Sequence, residues 1–178
     1  MKNIYLCSLM TALALSGCST ETSKEENASL NNGAYLKIGI VGEKPHIQKE
    51  NIKFEALSLE QLKDTKKVSS NFDAVFITKG NLKKADDEKY VTVYDNLKIP
   101  IFFLQTTKGF LPFVTEGLSY KEASELNHSY ASGYLKEKKS SYRYWEYGLN
   151  DDVVNEKNIN NVYSRIFKTV EDVKREKS

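Results

Sequence analysis

The segment Ile99-Pro100-Ile101-Phe102-Phe103-Leu104 is the most hydrophobic stretch of the chain after residue 18. It predicts a central strand, with Pro100 confined to its start because proline cannot donate a hydrogen bond to a sheet. The segment Phe72-Asp73-Ala74-Val75-Phe76-Ile77 is also apolar on both faces, except at Asp73. Runs of this kind are typical of buried parallel strands. The two segments together predict a parallel sheet in the middle of the fold.

Upstream of these segments, two shorter apolar runs predict strands over residues 35–41 and 52–57. A helix is expected to follow the second run, because Ser58 and Gln61 form a capping-box pattern. This alternation of strands and helices predicts right-handed crossovers and a largely parallel sheet. The link over residues 42–51 is short for a helical crossover, so the relative direction of the first two strands stays open.

Downstream of these segments, the pattern becomes more varied. The apolar residues from Ile159 to Val173 recur at helical spacing, which predicts a packing helix over 158–175 capped by Asn158. The other expected elements are a short helix from Asn81 to Glu88, an edge strand over 90–94, a strand over 110–114, a helix over 119–126 and a hairpin over 132–136 and 142–147.

The predicted class is therefore α/β: a three-layer or two-layer domain with a mixed, largely parallel sheet and a C-terminal packing helix. The strands over 35–41, 72–77 and 99–104 should be neighbours in that sheet. Hydrophobic residues make up 40% of the chain and charged residues 28%. That composition is typical of a globular protein rather than a disordered one.

The N-terminal residues have the features of a signal peptide. Lys2 precedes an apolar stretch from Ile4 to Leu15, which is too short to span a bilayer core of about 30 Å. The stretch ends in Leu15-Ser16-Gly17-Cys18, which resembles the lipobox of bacterial lipoproteins. The resemblance implies cleavage before Cys18 and a diacylglyceryl group on its sulfur. Two acyl chains hold a protein at a membrane more firmly than one.

Three segments are expected from these observations: a lipoprotein signal peptide over 1–17, a lipidated cysteine and flexible tether over 18–33, and one α/β domain over 34–178. Residues 19–33 contain one leucine and no aromatic residue, so they cannot bury enough surface to offset the entropy cost of ordering. The expected location is the extracytoplasmic face of the cell membrane, where the lipid on Cys18 anchors the protein.

Charge and cysteine content narrow the function classes. The 26 basic and 24 acidic residues give a net charge of +2, which lacks the basic excess of a nucleic-acid-binding protein. The two cysteines are Cys7 and Cys18, so the domain has no thiol for a disulfide, a zinc site or a nucleophile. His46 and His128 stand alone, and no nucleotide-binding or hydrolase motif occurs. We expect no cofactor, no metal site and no enzymatic activity.

Polar loops follow two of the predicted parallel strands. Thr78-Lys79-Gly80 follows the strand over 72–77, and Thr107-Lys108-Gly109 follows the strand over 99–104. In open α/β sheets, ligands bind outside the carboxyl ends of the strands. Lysines, hydroxyls and free backbone amides there are suited to an anion. The candidate ligand-binding residues are Thr78, Lys79, Asn81, Gln105, Thr107 and Lys108.

An aromatic run occupies the second strand of the predicted hairpin. As a strand, it places Tyr142 and Tyr144 on one face and Arg143, Trp145 and Tyr147 on the other. Tyr142, Tyr144 and Trp145 are therefore candidates for contact with a sugar or a peptide. Packing of these rings across neighbouring strands is the alternative.

The chain as a whole resembles small lipoproteins of Gram-positive bacteria, a general likeness that implies no activity. We expect a non-catalytic interaction module at the cell surface, with a protein or a cell-wall polymer as partner. The alternative is a lipoprotein that binds a small ligand, such as an anion, at the carboxyl ends of its strands. The near-neutral charge gives no long-range attraction for anions, and the interaction module is therefore ranked first.

Overall fold

Within the part of the chain that the structure describes, six strands form one mixed sheet at the centre of the fold. The computed structural model describes residues 33–47 and 49–178, so the predicted signal peptide, Cys18 and nearly all of the tether lie outside the described residues. The strands are β1 (Leu36–Val41), β2 (Ile52–Ala56), β3 (Ala74–Ile77), β4 (Ile101–Leu104), β5 (Ala131–Lys138) and β6 (Ser141–Tyr147). Their order is β2-β1-β3-β4-β5-β6. The predicted adjacency of the three apolar strands, now β1, β3 and β4, is confirmed.

Strand direction divides the sheet into two parts. The strands β2, β1, β3 and β4 run parallel, while β5 and β6 form an antiparallel hairpin beside β4. This is the predicted mixed, largely parallel sheet. The open question about β1 and β2 is answered: they pair in parallel, with Ile38 beside Phe54, although the described residues of the link over 42–51 contain no helix.

After β2, the chain crosses back over β1, and β3 pairs with β1 on the side opposite β2. The link from β1 to β2 contributes Ile47 to the core on one face, and the return to β3 contributes Val68 to the core on the other face. Because β2 and β3 lie on opposite sides of β1, the order of the parallel strands reverses between β1 and β3. A reversal of this kind opens a crevice at the carboxyl ends of the two strands.

Among the described residues, five α-helices cover the two faces: α1 (Thr65–Asn71), α2 (Leu82–Ala85), α3 (Val91–Asn96), α4 (Leu111–Val114) and α5 (Glu156–Glu176). Buried side chains of α1, α2, α3 and α4 pack against one face of the sheet. Of these five helices, α5 packs against the other face, where Phe167 stacks on Phe76 with ring centroids 6.1 Å apart. The domain therefore has three layers, and α5 is the predicted packing helix.

Three local predictions are wrong. Residues 90–94 were expected to form an edge strand, but they belong to a short helical turn and to α3. Residues 110–114 were expected to form a strand and instead contain α4, where Pro112 occupies the first turn, a position that tolerates proline. Residues 119–126 form only a turn, although the Ser119 hydroxyl accepts a hydrogen bond from the Glu122 amide at 3.3 Å, as the capping pattern predicts.

Helix caps also differ in part from expectation. The Ser58 and Gln61 side chains interact as the capping-box pattern predicts, with the Gln61 side chain accepting from the Ser58 amide at 2.7 Å. The predicted helix does not start there, because only a short helical turn follows, and α1 is capped by Asp64, which accepts from the Lys67 amide at 3.2 Å. Asn81 makes no capping hydrogen bond to α2. The cap of α5 is Asn155, which accepts from the Asn158 amide at 2.8 Å. The Asn158 side chain is buried and donates to two backbone carbonyls instead, so it cannot serve as the predicted cap.

Candidate functional site

The carboxyl ends of the parallel strands open into a cleft of about 830 Å³. Its floor is formed by the residues that follow β1, β3 and β4, and one wall is formed by the first turns of α5 together with Tyr163. The cleft lies where the strand order reverses between β1 and β3. It therefore occupies the position at which open α/β sheets bind their ligands.

Gly42 permits the close approach of two strand ends at the floor of this cleft. Its φ is +113°, and a Cβ there would lie 2.0 Å from the Thr78 hydroxyl and 2.6 Å from the Asn81 amide nitrogen. Both of these side chains donate to the Val41 carbonyl, at 3.3 Å and 3.5 Å. The end of β1 is thus held against the loop after β3, and only glycine fits at the junction.

Gln105 projects from the end of β4 and lines the same cleft. Its φ is +57°, a left-handed conformation that is uncommon for a residue other than glycine. Its side-chain amide donates to the Tyr130 hydroxyl at 3.3 Å. Strained backbone of this kind costs about 1–3 kcal/mol and is concentrated at functional sites. We therefore count Gln105 as a central residue of the candidate site.

Charges of both signs line the cleft. Lys44 and Lys79 are balanced by Glu43 and Glu156. The Lys79 ammonium makes no hydrogen bond or ion pair to any other described residue, and its side chain is exposed. Tyr163 supplies an apolar surface, and burial raises the pKa of its hydroxyl, so it stays neutral. The lining suits a small polar molecule, and it has no strong net charge.

The two Thr-Lys-Gly loops do not converge. Thr78, Lys79, Asn81 and Gln105 line the cleft, but Thr107 and Lys108 do not. The Lys108 ammonium points away and donates to the carbonyls of Lys121 and Ala123, at 3.1 Å and 2.9 Å. Of the six candidate residues, the structure therefore brings four to the cleft and places Thr107 and Lys108 outside it. Lys108 instead fastens the turn over 119–123 to the end of β4.

Several cleft residues were missed by sequence reasoning. The glycine directly after β1 was a usable signal for Gly42, because a strand that ends in glycine can approach its neighbour closely. Tyr130, Asn155 and Tyr163 also line the cleft, and no motif marks them. They reach it only because the hairpin and α5 fold back over the carboxyl ends of the strands.

A second hollow of about 510 Å³ lies between β2 and α1. Its charged lining residues include Lys37 and Glu55, which already pair with each other at 3.0 Å. A ligand there would have to replace that ion pair. The cleft at the strand ends is the better candidate, because the Lys79 ammonium makes no ion pair with another described residue.

An exposed aromatic surface lies at the opposite edge of the sheet, on the face covered by α1–α4. Tyr142 and Tyr144 are 47% and 57% exposed. The Tyr144 ring stacks on buried Phe110 with centroids 5.1 Å apart. Trp145 lies on the other face, half-buried against Phe102 and covered by the Arg143 guanidinium. The rings of Tyr142 and Tyr144 are therefore available for contact, whereas Trp145 serves packing.

The histidines and acidic clusters do not assemble a metal site within the described residues. His46 lines the cleft, while His128 is hydrogen-bonded to Asp152 on the surface. Among the described residues, no helix has the length and apolar character needed to cross a membrane.

Comparison of the chain with known protein families, with curated proteins and with solved structures finds no match.

Proposed function

We propose that this protein is a lipid-anchored, non-catalytic binding protein of the extracytoplasmic membrane face, and that its cleft takes a small polar ligand. The anchor follows from Leu15-Ser16-Gly17-Cys18, which resembles a lipobox. A lipid on Cys18 would keep the domain close to the membrane, where a binding protein meets solutes or wall components.

The observation that carries the ligand proposal is the position of the cleft at the reversal of strand order. Thr78, Lys79, Asn81 and Gln105 converge there from two neighbouring strands. Their hydroxyl, ammonium and amide groups are suited to hydrogen-bonding a carboxylate, a phosphate or a sugar hydroxyl. The buried Tyr163 ring offers an apolar contact beside them. Few polar groups in a partly apolar cleft are typical of small-molecule sites.

A thermal-shift screen of the purified protein tests this proposal. The compounds are inorganic phosphate, phosphate esters, di- and tricarboxylates, amino acids and monosaccharides. A ligand present at about 100 times its dissociation constant stabilises the folded protein by about 2.7 kcal/mol. We expect at least one compound to raise the melting temperature, and Lys79→Ala to reduce that shift.

Lys108→Ala is the matched control for Lys79→Ala. It removes the same charge from a similar loop, but the Lys108 ammonium is bound to two carbonyls outside the cleft. It should lower the melting temperature of the free protein and leave the ligand-induced shift unchanged. A shift that survives Lys79→Ala but disappears in Lys108→Ala would contradict binding in the cleft.

The aromatic surface supports a second candidate, an interaction module for a protein or a wall polymer. The specific observation is that Tyr142 and Tyr144 remain about half exposed although tyrosine usually buries much of its ring. Wall binding is tested by sedimenting the protein with purified cell wall. We expect a Tyr142→Ser, Tyr144→Ser double variant to lose co-sedimentation, while Lys79→Ala retains it.

A further inference from the structure

We propose that β6 pairs with β6 of a second copy of this chain, so that two sheets join into one continuous sheet about a two-fold axis at Tyr144. The partner is thus a second copy of the protein. This inference does not depend on the ligand proposed for the cleft.

The outer side of β6 has the properties of an unprotected sheet edge. β6 is the last strand of the sheet and is seven residues long. Its backbone hydrogen bonds to other described residues run toward β5 and Tyr130. Its sequence, Ser-Tyr-Arg-Tyr-Trp-Glu-Tyr, contains no proline and no glycine, and the one bulge of the hairpin falls in β5. An unpaired edge of this length is a template for another strand.

The opposite edge of the sheet differs from β6. β2 has only five residues, and the Lys53 and Glu55 side chains on it are already paired at 2.8 Å. A short, charged strand is one of the ways in which proteins protect a sheet edge. The edge at β6 carries four aromatic residues instead, and aromatic residues stabilise antiparallel pairs across strands.

Symmetry restricts the register of a β6 pair. Residues directly opposite each other in an antiparallel pair project from the same face. The face with Tyr142 and Tyr144 packs on Phe110, and the face with Trp145 packs on Phe102. For both faces to continue into the second copy, one residue of β6 must lie directly opposite its own copy. The two-fold axis then passes between the two copies of that residue.

Among the possible centres, Tyr144 alone pairs all seven residues of the strand. Tyr142 then lies opposite Glu146 of the second copy, where a phenol can donate to a carboxylate. Arg143 lies opposite Trp145 of the second copy, on the face of β6 that packs on Phe102. A centre at Arg143 or at Trp145 would pair only five residues of β6.

The Arg143 charge does not prevent this pairing. Its guanidinium is bound within its own chain by Glu137 at 2.8 Å and by Glu176 at 2.7 Å, so it enters the interface already neutralised. The Tyr142 and Tyr144 rings of both copies would then form one aromatic surface on the face covered by α1–α4. That surface is about twice as long as the surface of one chain.

Cysteine cross-linking of the full-length chain tests the pairing and its register. On the two-fold axis, Tyr144→Cys brings two thiols to opposite positions, with Cα atoms about 4.5–5.5 Å apart, within disulfide range. Tyr142→Cys is the control: it lies on the same face, but its two copies are separated by four residues, about 14 Å along the strands. After oxidation, Tyr144→Cys should give a band of twice the monomer mass, and Tyr142→Cys should not.

The unchanged chain is oxidised in parallel, because it already contains Cys7 and Cys18. A dimer band in that sample reports a free N-terminal thiol and bears on the proposed lipid anchor, not on β6. Equal cross-linking of the two variants, or no cross-linking of Tyr144→Cys beyond the unchanged chain, would overturn the proposal.

Sedimentation of the full-length chain in detergent measures dimerisation without an introduced cysteine. Tyr144→Lys would place two ammonium groups opposite each other on the axis, whereas Tyr142→Lys would place one opposite Glu146 of the second copy. We expect Tyr144→Lys to weaken dimerisation about fivefold and Tyr142→Lys to preserve it. Circular dichroism verifies that both variants fold. A monomeric unchanged chain at every concentration, or equal weakening by both variants, would contradict β6 pairing.

Discussion

Replacement of Phe167 tests whether α5 completes the core. The Phe167 side chain is 3% exposed. Its ring contacts Phe76, Phe54 and Tyr163, with centroid separations of 6.1 Å, 6.3 Å and 6.1 Å. Phe167→Ala removes these contacts and leaves a cavity between the helix and the sheet, because the strands cannot collapse into the space. Losses of this kind cost about 3–5 kcal/mol.

Phe167→Asp should cost more than Phe167→Ala, because it also buries a carboxylate without a partner. The assay is urea unfolding followed by circular dichroism, with the fluorescence of Trp145 as a second signal. Each kcal/mol lowers the melting temperature of a domain of this size by about 2–4 °C. Phe167→Ala should therefore melt about 6–20 °C below the unchanged protein.

Lys168→Ala is the control on the same helix, because its side chain is 62% exposed and, among the described residues, is bound only to Asp172. We expect it to change the free energy of unfolding by less than about 0.5 kcal/mol. A loss below about 1 kcal/mol for both Phe167 variants would refute the conclusion that α5 covers one face of the sheet.

Three further predictions follow from other parts of the chain. Cys18→Ser should release the protein from membranes or block its processing; unchanged size and membrane fractionation would refute the lipid anchor. Gly42→Ala should cost about 1–3 kcal/mol and abolish ligand-induced shifts, because its Cβ would meet a threonine hydroxyl at 2.0 Å. Gly80→Ala is its control in the same cleft, since a Cβ there meets nothing within 4 Å, and equal losses would count against the close approach at Gly42. The last prediction concerns pH. Burial raises the pKa of Asp86 above its ordinary value of 3.8, so the folded state holds this proton more tightly and the contribution of Asp86 to stability falls as the pH rises above about 4. A side-chain hydrogen bond from Lys89 lowers the pKa of Asp87, so the contribution of Asp87 to stability rises as the pH increases toward about 4. In urea unfolding, relative to the unchanged protein, Asp86→Asn should gain stability as the pH rises above about 4, and Asp87→Asn should lose stability as the pH rises toward about 4; the opposite sign in either range would refute that assignment.

The sequence was sufficient to predict those strands and helices that have a clear hydrophobic pattern within their own residues. The apolar runs that became β3 and β4 are buried on both faces, and such runs have few alternatives to a central strand. The periodicity from Ile159 to Val173 identified α5 for the same reason. In each case the solvent exposure of a residue follows from its position within its own element.

Short amphipathic segments could not be assigned in this way. The residues Val91-Thr92-Val93-Tyr94 have high strand propensity, yet they lie in α3. Their helical form is explained by the tertiary contacts: Tyr94 packs edge-on against Phe103 of β4 and donates its hydroxyl to the Ala85 carbonyl at 2.8 Å. These contacts outweigh a difference in propensity of about 1 kcal/mol or less.

The sequence by itself determined which strand ends carry polar groups. It therefore placed Thr78, Lys79, Asn81 and Gln105 at the carboxyl ends of the strands, where they line the cleft. Only the tertiary structure decided that Lys108 lies outside the cleft. The backbone turns at Gln105 with φ +57°, Thr106 is fully buried, and the next residues leave the carboxyl edge of the sheet. The physical reason is that an element forms from neighbouring residues, whereas a cleft is a relation between distant segments. Its shape depends on the crossovers and on how α5 packs, and neither is encoded in any short stretch of the chain.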